Sequence, residues 1–111
     1  MAKFLALYMG TPGGGPPSNL DEATIAKGMA AWGGWMGEHA AQIVDTGGPL
    51  GKTKKTSAAG VSDIRNAVSG YVIVEAASHE AAAAMFKNHP SFSIFPGEAV
   101  EVMEVLPIPG G

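Results

Sequence analysis

The sequence predicts an α+β fold, one antiparallel sheet with two helices on one of its faces. Two observations carry this expectation. Strand-like apolar runs and a helical stripe follow one another as strand, helix, strand, and the same order returns in the second half of the chain. The strands are also apolar on both faces, which a sheet with one face in water would not be. The 111 residues suit a single domain, with room for one core and none for a second.

The first strand is read at Lys3 to Met9, with Leu5, Leu7 and Met9 on one face and Phe4, Ala6 and Tyr8 on the other. Gly10 to Pro17 holds four glycines and three prolines in eight positions and reads as a loop. Ser18, Asn19 and Asp21 supply capping groups for a helix, and Asp21 and Glu22 favour its positive end. From there Ile25, Met29, Trp32, Met36, Ala40 and Ile43 recur at spacings of three and four, an amphipathic stripe that predicts a helix to about Asp45. Gly28, Gly33, Gly34 and Gly37 interrupt it at roughly 1 kcal/mol each relative to alanine, a cost expected to be offset by close approach of another element. Thr46-Gly47-Gly48-Pro49 is expected to end the helix, Leu50 to begin a second strand, and Lys52 to Asn66 to form an irregular hairpin.

The second unit starts with the β-branched run Gly70 to Ala76. Ser78 caps a predicted helix to about Asn88 whose buried side carries Ala82, Met85 and Phe86. Ser91 to Gly97 reads as a loop, unusually apolar in holding Phe92, Ile94 and Phe95, and Val100 to Leu106 as the closing strand. Two such units give a ferredoxin-like βαββαβ plait. Helices cover one face of that sheet, so its second apolar face predicts a symmetric homodimer, sheet against sheet, with a barrel-like interior.

Composition excludes several function classes. The chain is 46% hydrophobic and 15% charged, fewer charges than the usual quarter, which again points to an apolar surface with a partner. Net charge is −3, and Lys52, Lys54, Lys55 and Arg65 are scattered among glycines and acids, so no nucleic-acid footprint is expected. Cysteine is absent, which removes disulfides, a thiolate nucleophile and a zinc ribbon. No apolar run approaches the ~20 residues of a membrane helix, and Phe4 to Met9 is too short for a signal segment, so a cytoplasmic location is expected.

Histidine supplies the candidate chemistry. His89, in Asn88-His89-Pro90, falls four residues after Met85 and three after Phe86 and so prolongs the buried stripe if the helix persists. An imidazole there suits acid/base catalysis, while the structural alternative is a ring that caps the helix's last carbonyls. His39 lies two turns beyond Trp32 on the inward stripe, as a ligand contact or a satisfied core histidine. Trp32 and Trp35 wall a pocket for a flat apolar ligand or belong to the core, and Tyr8 and Tyr71 on the strands carry the same two readings. His39, His79 and His89 lack metal-ligand spacing, and no metal site or cofactor is expected. Thr46 to Thr53 imitates a phosphate-binding loop but lacks its first glycine and follows a helix, so it is set aside.

The chain resembles the YCII-related proteins of the dimeric α+β barrel superfamily, the group that includes the DGPF-type proteins. The resemblance rests on the MAKFLALYMG opening, the AWGGW helix, the VDTGGPLG turn, the GYVIVEAASHEAAAAMFKNHPSF unit and the EVMEVLP close. It implies a dimer with a helix–sheet cleft, in a family of largely unknown activity with occasional enzymes acting on small organic molecules. In the members discussed as catalysts, a histidine early in the first helix works with an aspartate placed just before a proline after the second. Here Ala31 or Trp32 stands at the first position and His89 at the second, and the DGPF tetrapeptide is absent. Three functions stay open: an enzyme using His89 on a small molecule, a non-catalytic ligand-binding module, and a structural dimerisation module.

Overall fold

The computed structural model describes residues 1–10 and 20–110. Apart from Gly10, the Gly10 to Pro17 loop lies outside the described residues, as do Ser18 and Asn19. The elements in chain order are β1 (Ala2–Met9), α1 (Glu22–Glu38), β2 (Ile43–Pro49), β3 (Thr53–Ser57), β4 (Gly60–Ile64), β5 (Val68–Ala76), α2 (His79–Ala84), α3 (Pro90–Ser93) and β6 (Ala99–Glu104). Four strands form one sheet in the order β2-β5-β1-β6, with each neighbouring pair antiparallel. This is the ferredoxin-like arrangement, in which the strand of the second unit inserts between the two strands of the first. β3 and β4 pair only with each other, as a separate two-stranded hairpin.

The alternation read in the strands decides the layers. Phe4, Ala6 and Tyr8 of β1 and Val72, Val74 and Ala76 of β5 are buried on the helix side, where they meet Trp35, Ala82 and Phe86. Val100 and Val102 of β6 pack on the margin of this core. On the other face Leu5 stands opposite Ile73 and Met103, and Leu7 opposite Tyr71 and Glu101. These residues are half-buried or exposed within a single chain.

Asp21 caps α1, its carboxylate accepting from the Thr24 amide at 2.7 Å. The helix stops at Glu38 and not near Asp45: Ile43 and Asp45 belong to β2, paired with Val74 and Ile73. The periodicity is overridden by tertiary pairing, with the Glu75 amide donating to the Gln42 carbonyl at 2.7 Å where the strand begins. Thr46 to Pro49 is therefore strand, and the second strand begins at Ile43 and not at Leu50. The strand accommodates Gly47 by a shift in register, and Gly47 takes a φ of 62° there. A side chain at that position would collide with the Tyr71 carbonyl.

The second predicted helix is also shorter. α2 ends at Ala84, turns carry the chain to Asn88 with a φ of 56°, and α3 occupies Pro90–Ser93, part of the segment read as loop. The cause is local. A residue before proline is steered out of the helical region, and His89 adopts φ −58° and ψ 140°, after which Pro90 opens the new helix at its first turn.

Candidate functional site around His89

His89 is fully buried although no helix carries it inward. As the N-cap of α3, its Nδ1 accepts the Ser91 amide N–H at 3.0 Å, and the Ser91 hydroxyl lies at the same 3.0 Å from that nitrogen. The structural alternative, a ring capping the carbonyls of the preceding helix, is thus replaced by a ring that caps the amides of the following one. The i+3 and i+4 stripe pointed to burial, and the burial is real, but the pre-proline turn produces it.

Four aromatic side chains surround the imidazole. Tyr8 of β1 stacks on it at 5.1 Å between centroids with planes 28° apart. Trp32 and Trp35 of α1 meet it nearly perpendicular, at 4.7 Å and 88° and at 4.8 Å and 76°, and Phe86 closes the enclosure at 5.8 Å. Trp35 is fixed by its own indole N–H, which donates to the Met85 carbonyl at 2.8 Å, so α1 and the turn after α2 are joined beside the histidine. Trp32 stands edge-on to Tyr8 at 4.8 Å and is only half-buried. Gly28 lets Phe95 lie directly on α1, where a side chain would clash with that ring, and Phe95 in turn borders Trp32 at 6.0 Å.

The enclosure shapes the electrostatics. Burial pushes the His89 pKa down to about 4, with the nearby charge of His39 acting in the same direction. Burial pushes the Tyr8 phenol up to about 12, with the neighbouring Trp32 side chain acting in the opposite direction. Both groups are uncharged at neutral pH. Among the described residues the His89 Nε2 has no hydrogen-bond partner, which leaves one polar atom of the enclosure unmatched.

Of the residues singled out in the sequence, Tyr8, Trp32, Trp35 and His89 come together. His39 borders Trp35, 4.9 Å from its indole and half-buried at the C-cap of α1. Tyr71 does not join them, because it lies on the opposite face of the sheet, across from Leu7. Phe86, expected in the core, also borders the ring, and Ser91 is not among the residues that the sequence singles out. The signal for Ser91 was the spacing His-Pro-Ser, in which the turn forced before proline aims the second amide back at the ring. His79 is exposed, with Nε2 at 2.8 Å from the Val102 carbonyl. Among the described residues no group of three His, Cys, Asp or Glu could hold a metal, and no helix is long and apolar enough to cross a membrane.

A groove of about 1140 Å³ lies elsewhere, between Leu50–Lys54 and Asp63–Ser69 at the base of the hairpin. It shares no residue with the His89 enclosure.

No protein-family model matches the chain, and no curated protein matches it. A solved structure does: 5-chloro-2-hydroxyhydroquinone dehydrochlorinase (TftG) from Burkholderia phenoliruptrix, in complex with 2,5-dihydroxybenzoquinone. The two share 20% sequence identity with a TM-score of 0.57, over 94% of this chain and 93% of that one. A similarity at this level bears on the fold, and it agrees with the α+β plait of one antiparallel sheet with its helices on one face.

Proposed function

We propose that this protein binds a small, flat, oxygenated ring compound against the aromatic cluster of Tyr8, Trp32 and Trp35 that encloses His89, and acts on it through His89. The observation that carries the reading is a fully buried imidazole with an unmatched nitrogen among four aromatic rings. Aromatic walls with one or two placed polar atoms are the usual constitution of a site for a small planar molecule. The similar dehydrochlorinase, which holds a hydroxylated quinone, adds support for this ligand class. A non-catalytic binding role is the second reading, favoured by the lack of any carboxylate among the groups that perturb His89.

The working unit in this proposal is a homodimer that buries the Leu5, Leu7, Ile73 and Met103 face against its copy, as the resemblance to YCII-related proteins also implies. Tyr71, on that face, then belongs to the interface and not to the ligand site.

The test is a fluorescence titration of the full chain with hydroxylated benzoquinones, read on the emission of Trp32 and Trp35. Saturable quenching that weakens at least tenfold in Trp32→Leu is expected. A folded protein that gives no saturable response with any ring compound would sink the reading.

A further inference from the structure

We infer that His89 serves as a neutral hydrogen-bond donor, presenting Nε2–H to an uncharged carbonyl oxygen of the ligand, and that the Ser91 amide is the group that fixes it in this form. The inference rests on the site proposed above and assigns it a chemistry narrower than general acid/base work.

The argument is one of proton positions. A backbone amide always carries its hydrogen, and the Ser91 N–H points at Nδ1 from 3.0 Å. Nδ1 must therefore be bare, since a proton there would oppose the amide donor to donor. The Ser91 hydroxyl, also 3.0 Å away, can donate to the same nitrogen. A neutral ring with Nδ1 bare carries its hydrogen on Nε2. That N–H is buried without a partner among the described residues, and its nearest surroundings are ring systems, which accept hydrogen bonds only weakly. A buried donor left in this state costs free energy that an acceptor oxygen recovers.

The same proton positions exclude a base. The one lone pair of the ring is taken by Ser91, so His89 has none to turn toward a ligand proton. A neutral imidazole locked in one tautomer instead polarises a carbonyl by donation. An uncharged oxygen suits the site better than a carboxylate, because the groups facing His89 from β1, α1 and the turn after α2 are Tyr8, Trp32, Trp35 and Phe86, none of them a cation. His39, which borders Trp35, is the other titratable group nearby. Trp32 is the half-buried wall of the enclosure, whereas Tyr8, Trp35 and Phe86 are buried.

Long-range proton–nitrogen NMR on the full chain labelled with 15N-histidine tests this at neutral pH, with His39→Gln and His79→Gln assigning the signals. The expected spectrum shows His89 with Nε2 protonated and Nδ1 bare, unchanged in Ser91→Ala, which keeps the amide. Acetophenone should then shift the Nε2 resonance and quench tryptophan emission at a concentration at least tenfold below that needed for benzoate. An imidazolium or an Nδ1–H ring overturns the inference, and beside a clear tryptophan response it does so while leaving ligand binding intact. A tautomer lost in Ser91→Ala overturns the role of the amide. Preference for benzoate overturns the ligand class, and the expected tautomer with no response to either probe overturns that class together with the binding reading beneath it.

Discussion

His89 ties a titration to the stability of the whole chain. Its folded pKa of about 4 lies below the ordinary value of 6.5, so between those values the unfolded chain binds a proton that the folded chain refuses. Stability is full above pH 6.5, declines as pH falls toward 4, and changes no further from this group below that. The whole effect is on the order of 3 kcal/mol. Urea unfolding of the wild type at pH 7 and pH 4.5 should show most of this loss, and His89→Gln, which has no proton to bind, should show a markedly smaller one. An equal pH dependence in the two proteins would mean that His89 is protonated in the folded state. The same residue illustrates what a short sequence window can convey: proline at position 90 dictates the backbone of His89, and the backbone dictates where the ring goes.

At the scale of elements, α1 carries glycines of two kinds. A side chain at Gly28 would clash with Phe95, whereas at Gly33, Gly34 and Gly37 it would meet nothing within 4 Å. The close approach expected at all four is thus found at one. Gly33→Ala, Gly34→Ala and Gly37→Ala should each stabilise the protein by about 0.5–1 kcal/mol through the unfolded chain's lost freedom. Gly47→Ala in β2, with its left-handed backbone against Tyr71, should destabilise by more than about 1 kcal/mol. Thermal unfolding separates the two signs, and a Gly33→Ala protein of lowered stability would show that this surface is occupied. The β3–β4 hairpin is a regular ladder from Thr53↔Ile64 to Ser57↔Gly60, not the irregular one expected, yet it contributes no residue to the core. Its one ion pair, Lys54 with Asp63 at 2.7 Å, is largely exposed and so worth little. Amides of Thr53 to Ile64 should exchange hydrogen well before those of β1 and β5, and protection equal to the central strands would place the hairpin in an interface.

For the molecule as a whole, the determining feature is the second face of the sheet. The chain measures 49 × 38 × 18 Å, and its short dimension corresponds to a sheet and one layer of helices. Leu5, Leu7, Ile73 and Met103 share the open side. If the copy proposed above covers it, Leu7→Asp should convert the dimer to a monomer in native mass spectrometry while His89 remains enclosed, because Leu7 and Tyr8 point to opposite faces. A wild-type monomer would overturn the dimer.

Alternation in β1 and β5, the caps at Asp21 and Ser78, and the βαββαβ order of the four-stranded sheet and its two main helices were determined by the sequence alone, because each depends on neighbours a few residues apart. Tertiary structure decided the rest. It ended α1 at Glu38 by pairing Ile43 and Asp45 with β5, an interaction between residues some thirty positions apart that no periodicity contains. It set Tyr71 apart from Tyr8, a consequence of parity on different strands. It also brought Tyr8, Trp32, Trp35, Phe86 and Ser91 around one imidazole, and with them its protonation, since the pKa and tautomer of a buried ring are properties of the groups packed against it and not of its own chemistry.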